Sequence, residues 1–415
     1  MRYIRSLTGQ VFGGILLVSG CCIGSGMLAL PISTGVAGFV PSILVLFITW
    51  LFMLSTGLMI LELNIKYGQD VNLATMAELT LGFPGKVISW GTFLFLFYCV
   101  MVAYSVGSGA LFVSSVEMIS GKSIAPWAGS LFFVMLFGAC VYLGTGLVDH
   151  FNRVLMIGLV SSYCFLITAG ISEVDTNLLA NSNWEASPFI VPVAIVGFGF
   201  HQLVPTLTAY FEGDSQKMKK VIVGGCTIPL LVYIFWETLV LGIVPLEGEG
   251  GIRHALMKGE TATQTLLGFL ESPWLIIAAQ SFAFFALVTS FLGVSLSFVD
   301  FLADGLKVNK TGEGKVFLCG LVMLPPFVIS LTYPGVFLTA LDYAGGFGAA
   351  LLFGVLPPLM VWSARYRDDG ESERCFPGGK KSLLAVLIFA CAVIFFKLFQ
   401  EMGWTAILSE ADTYT

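Results

Sequence analysis

Long apolar runs joined by short polar links make up almost the whole chain. Eleven of these runs reach the ~20 residues that cross a hydrocarbon core at ~1.5 Å rise per residue. They cover 11–36, 41–63, 86–114, 127–147, 152–172, 189–211, 221–245, 274–299, 316–332, 336–363 and 383–400. Only the links 247–272 and 364–381 are long, so the pattern predicts one all-α polytopic membrane domain over 1–415. Between the second and third runs, residues 64–83 mix Asn64, Lys66, Gln69, Asp70 and Glu78 with apolar positions, as a short amphipathic helix on the inner surface would.

Two runs carry an interruption. The first breaks at Gly24-Ser25-Gly26 and again at Pro31; the sixth sets Gly197 and Gly199 before Pro205. Glycine and proline weaken the helical ladder, and irregular backbone at membrane depth survives where it lines a cavity. A packing glycine pair or a simple proline kink is the alternative at either place taken singly. The two interruptions lie five spans apart, which inverts the second half relative to the first. Paired Gly/Pro breaks in matching positions point to a transporter site between the halves. The expected repeats are about 11–172 and 189–363, with 383–400 as an added helix.

Composition agrees with this class: 57% of residues are hydrophobic and 11% are charged, against about 25% charged in soluble domains. The long first run and the ten that follow argue against a cleaved leader, despite Arg2 and Arg5. With the N-terminus cytoplasmic, sixteen of the twenty Lys and Arg fall on inner links and three, Lys122, Arg253 and Lys258, on outer ones. That asymmetry predicts N-terminus in and C-terminus out. Lys397 sits inside the last span. The net charge of -6 therefore carries no information about partners; nothing suggests nucleic acid or an obligate protein partner. The nine cysteines lie mostly within spans, so disulfides are not expected.

A break of this kind has definite chemistry. Where the first span resumes, the N–H groups near Gly26, Met27 and Leu28 sit at the positive end of a helix and suit a carboxylate. Carbonyls near Cys22 and Ile23, and those near Gly197 and Gly199, present the negative end to an ammonium. A zwitterion bound between the two breaks satisfies both sets without a buried charged side chain.

Several blocks resemble the bacterial hydroxy and aromatic amino acid permeases. They are Ile23-Gly24-Ser25-Gly26-Met27-Leu28-Ala29-Leu30-Pro31, Gly199-Phe200-His201, Ile228-Pro229-Leu230 with Tyr233-Ile234-Phe235-Trp236, Thr289-Ser290-Phe291-Leu292-Gly293-Val294, Asp300-Phe301-Leu302-Ala303-Asp304 and Leu324-Pro325-Pro326. The resemblance implies the five-plus-five inverted-repeat fold of the amino acid, polyamine and organocation superfamily with an eleventh helix. It also implies uptake across the bacterial inner membrane, proton coupling, and an aromatic substrate with tyrosine preferred. Glu237 and Asp342 depart from the pattern, which has uncharged residues there.

The aromatic pocket is expected to draw on Tyr98, Tyr104, Phe200 and Phe291, on spans that this fold packs against the broken pair. Glu237, among apolar neighbours in span seven, suits proton coupling or a hydrogen bond to a neighbouring helix. His201 suits a proton or substrate role, or closure of freed backbone groups. Thr289 and Ser290 match the hydroxyl pair that completes an ion site in sodium-coupled relatives of the fold, or bond back to their own helix. Asp342 is a further carboxylate candidate. An intramembrane hydrolase using Ser25 and His201 lacks both the nucleophile elbow and an acid partner. His150, His201 and His254 show no metal-ligand spacing, and no cofactor is expected. Tryptophan or serine/threonine transport, and sodium coupling, are the rival readings within the class.

Overall fold

The computed structural model describes residues 2–68, 71–122, 124–367 and 373–403. Among them nine helices are long and apolar enough to cross a membrane. The helix pair α1 (Arg2–Cys22) and α2 (Ser25–Gly35), bent by 53° at the first break, makes a tenth pass. The sixth pass consists of two half-helices, α7 (Val191–Gly197) and α8 (Leu203–Tyr210), each too short to cross alone. About eleven passes result, five plus five with the first and sixth broken, and one more at the end.

The remaining helices follow the predicted spans closely. Span two is α3 (Phe39–Tyr67), span three lies in α4 (Leu73–Ser120), and spans four and five are α5 (Pro126–Leu143) and α6 (Thr145–Gly170). Span seven is α9 (Ser215–Ile243), which starts earlier than hydropathy suggests because Asp214 caps it, accepting from the Lys217 N–H at 3.0 Å. Short helices α10 (Ile252–Lys258) and α11 (Ala262–Leu267) fill the long outer link. Span eight is α12 (Pro273–Leu306) and span nine is α13 (Gly312–Thr332).

Span ten is α14 (Phe337–Tyr343), a π-helical stretch Ala344–Val355 and α15 (Leu356–Tyr366), and the last span is α16 (Lys380–Glu401). The π winding brings glycines flat against neighbours. A Cβ on Gly346 would meet the Lys397 stem at 2.9 Å, and one on Gly348 would meet Leu96 at 3.2 Å.

Two expectations are corrected. Pro31 does not break the first span; it lies inside α2. The amphipathic segment is not a separate helix, since its helical part from Leu73 runs into span three through a bend at Gly82, whose φ of 76° suits glycine. Asn64 turns the chain before it, donating to the Gly68 and Val71 carbonyls, both at 3.0 Å. Gln69 and Asp70 lie outside the described residues, as does the C-terminus beyond 403.

Candidate functional site

The two breaks meet. Gly24 leaves helical geometry with φ −152° and ψ −139° and opens α2, its carbonyl accepting from the Met27 N–H at 3.1 Å. Across from it α7 ends at Gly197, and residues 198–202 form a turn before α8. A Cβ on Gly26 would stand 2.7 Å from Gly197 Cα, so Gly26 must lack a side chain for the backbones to approach this closely, whereas a Cβ on Gly197 would meet Leu30 and Tyr233 at an ordinary 3.5 Å.

One face of α9 holds the broken first span at three points. Tyr233, Trp236 and Glu237 are spaced i, i+3, i+4 and so project together. The Tyr233 hydroxyl lies 2.7 Å from the Cys22 carbonyl and 2.6 Å from the Gly197 carbonyl, the last of α1 and of α7. It has one proton to donate, so lone pairs on both carbonyls stay available to a cation. The Trp236 indole donates to the Met27 carbonyl at 2.8 Å. Glu237 accepts from the Thr34 hydroxyl at 2.7 Å near the far end of α2, fully buried, with its second oxygen unpartnered among the described residues.

Beside the breaks lies a cavity of about 280 Å³. Cys22, Gly24, Gly26 and Gly199 border it from the broken spans, Tyr104 from α4, and Thr289 and Ser290 from α12. These are the sequence candidates that the fold brings together. Ser290 faces Gly24 so closely that a Cβ there would overlap its hydroxyl. Among the described residues no charged side chain lines the cavity. From the breaks it runs toward Leu16, Leu17, Asn152 and Ser297, at the end of the bundle where the chain begins.

Other candidates are placed elsewhere. Ile23 lies in the break and Met27 and Leu28 continue the backbone past it, none of them bordering the cavity, and Gly197 backs onto Gly26 behind it. The backbone of Ser25 opens α2, and its side chain lies outside the described residues. Tyr98 points to α13, donating to the Leu321 carbonyl at 3.0 Å; its neighbour Phe97 borders the cavity instead. Phe291 packs edge-on against Phe133, ring centroids 5.1 Å apart.

Phe200 and His201 stand one layer behind the wall. Phe353, from the π-helical stretch, borders the cavity; His201 stacks on it at 4.5 Å and Phe200 stacks on His201 at 4.6 Å. The imidazole Nε2 is 2.8 Å from the Thr56 hydroxyl. Thr289 bonds back to the Phe285 carbonyl at 2.7 Å, which commits its proton to its own helix. Asp342 is paired with Lys397, which also binds Glu401 at 2.7 Å, so it is part of an ion cluster remote from the cavity. Sequence reasoning missed Cys21, Asn152, Gln202, Phe97 and Phe353 as cavity residues, and Tyr233 and Trp236 as clamps. Of these only Tyr233 and Trp236 carried a signal, inside a block shared with the permeases.

The model of the tryptophan/tyrosine permease family matches residues 7–397. The chain belongs to that family. Two similar relatives come from Haemophilus influenzae. A tryptophan-specific transport protein is 32% identical, covering 97% of this chain and 99% of its own. Tyrosine-specific transport system 1 is 30% identical, covering 92% of this chain and 95% of its own. The crystal structure of MhsT in complex with L-phenylalanine superposes with a TM-score of 0.67 at 14% identity, over 92% of this chain and 97% of that one. That likeness concerns the fold. A permease of this family is a transporter of aromatic amino acids and not an enzyme, and the cavity beside the breaks is its candidate substrate site.

Proposed function

We propose that this permease imports aromatic amino acids, tyrosine preferred, across the bacterial inner membrane by proton symport. The reading is carried by one observation: two broken helices abut at Gly26 and Gly197 beside a cavity that offers main-chain dipoles and, among the described residues, no charged side chain. The first turn of α2 receives the substrate carboxylate, and the Cys22 carbonyl, which borders the cavity and shares the Tyr233 proton with the carbonyl of Gly197, receives its ammonium. The apolar side chain lies among Phe97, Val100, Met156 and Phe353. Tyrosine preference rests on the sequence resemblance, since relatives bearing both substrate names match this chain at similar identity.

Transport proceeds by one bundle of helices rocking against the scaffold around this fixed site. With the N-terminus cytoplasmic, as the Lys and Arg asymmetry favours, the cavity faces inward. The outer side is closed by Gly26 on Gly197 and by Ile252 of α10 against Gly35. Glu237 is the preferred coupling group. Among the described residues it has no basic partner and it is sealed from water, so both uptake of its proton from outside and release to the cytoplasm require α2 and α9 to part during the cycle.

The test is uptake of labelled tyrosine into proteoliposomes, with competition by all twenty amino acids under an imposed pH gradient and then a sodium gradient. Accumulation driven by the proton gradient, with aromatic amino acids alone competing, is the expected result. Accumulation that follows sodium, or competition by serine and threonine in place of the aromatics, overturns it.

A further inference from the structure

An aromatic substrate anchored at the breaks with a polar ring atom needs a polar partner farther along the cavity, and the hydrogen bonds of the lining residues set one apart. Near the break, the Gln202 amide nitrogen donates to Cys21 at 3.4 Å, and the Cys21 thiol donates to the Gly199 carbonyl at 3.4 Å. Thr289 and Ser297 bond back to their own helix, Ser297 to the Gly293 carbonyl at 2.9 Å. Ser290 is held against Gly24 at the break. Asn152 is different. It borders the cavity from α6, and its carboxamide oxygen is buried with no hydrogen-bond partner among the described residues.

Its depth suits a side chain anchored at the breaks. The Met156 methyl meets Gly20, where a Cβ would lie 3.0 Å from it, so Met156 and Gly20 are level. Gly20 is four residues before Gly24 on α1, and Asn152 is four residues before Met156 on α6. Spans one and five run in the same direction, so Asn152 lies two helical turns below the first break, on the order of 12 Å at 1.5 Å per residue. An extended aromatic side chain, a hydrogen bond and the Asn152 side chain together cover that length. An unmatched buried acceptor costs about 1–3 kcal/mol, which a donor on the substrate ring removes. The terminal torsion of asparagine is soft, so the oxygen can turn to meet it.

We propose that Asn152 is the specificity-determining residue of this site, its carboxamide oxygen accepting the phenol O–H of tyrosine. The inference rests on the aromatic amino acid reading above. It makes the preference for tyrosine over phenylalanine a property of one acceptor at the far end of the cavity, because a site built to bind a hydroxyl rejects the analogue lacking it.

The experiment compares tyrosine, phenylalanine and O-methyltyrosine as competitors of labelled tyrosine uptake in proteoliposomes, in wild type, Asn152→Leu and Asn152→Asp. Wild type should favour tyrosine over both donor-lacking analogues by about tenfold, the equivalent of 1.4 kcal/mol. Asn152→Leu should bring that ratio to about one, and Asn152→Asp, which keeps an acceptor, should retain a preference for tyrosine. Because the readout is a ratio of inhibition constants, poor folding or low insertion does not mimic it. A wild type that does not discriminate, or an Asn152→Leu ratio equal to that of wild type, overturns the assignment while aromatic transport stands. Absence of any aromatic uptake by wild type overturns the functional reading itself.

Discussion

The Trp236 indole donates to the Met27 carbonyl, which lies four residues before Pro31. In an unbroken α-helix that carbonyl would accept from the N–H of residue 31, and proline has none. Trp236 therefore supplies from α9 the donor that α2 lacks, which is why Pro31 sits inside a continuous helix. Trp236→Phe should lower the melting temperature of the purified permease, an unmatched buried carbonyl costing about 1–3 kcal/mol. Pro31→Ala in the same protein should restore most of the loss, because alanine returns the intrahelical donor. Strictly additive effects of the two substitutions in a thermal-shift cycle would separate Pro31 from Trp236.

Gly26 meets backbone, not a movable side chain. Its hypothetical Cβ stands 2.7 Å from Gly197 Cα and 3.1 Å from Gly197 N, and neither atom can rotate away. Gly26→Ala should cut tyrosine uptake severely, and Gly26→Leu should abolish it, with membrane insertion retained in both. Uptake and surface labelling measured on the same cells check this. Normal transport by the leucine variant would move the site away from the first break.

Spans and breaks were legible in the sequence because both are local: twenty apolar residues read as a span, and Gly-x-Gly before Pro reads as a weak ladder. Which face of each helix looks inward was not. Helix α4 is apolar all round, so nothing in its pattern separates Phe97, which borders the cavity, from Tyr98, which bonds to α13. Phe353 was hidden by its π winding, since the wider turn shifts the faces that a 3.6-residue period assigns. Phe200 and His201 were placed at the right break but on the wrong side of the wall. Trp236 with Met27 and Asp342 with Lys397 are contacts between distant spans that no local pattern encodes.

Lys397 and Asp342 join the last span to span ten. The Lys397 side chain is 2% exposed and that of Asp342 20%, and the lysine is also bound to Glu401. Removing one partner of a buried pair leaves the other uncompensated, at a cost of about 3–5 kcal/mol. Lys397→Met strips Asp342 of the cation it is paired with and should destabilise strongly. Asp342→Asn leaves the lysine with Glu401 and should cost less. The double variant should recover much of the loss. Thermal unfolding in detergent orders the three, and a milder effect for Lys397→Met than for Asp342→Asn would contradict the pairing.

Glu237 links proton exchange to the movement of α2. In this conformation its carboxyl group bonds to Thr34, is closed to water and has no cation beside it among the described residues. Moving into this closed arrangement with a charge would strand a carboxylate among apolar side chains, which is costly, so closure favours the protonated group. Acid on the outer side therefore promotes closure and uptake, and alkali opposes it. Wild-type uptake should rise as external pH falls and fall as it rises. Glu237→Gln keeps a hydrogen-bonding side chain of the same size that is permanently neutral, so its closure no longer requires a proton and its uptake should vary little with external pH. Initial rates at a series of external pH values, internal pH held constant, decide the point: a glutamine variant that follows the wild-type profile places the coupling proton on another group.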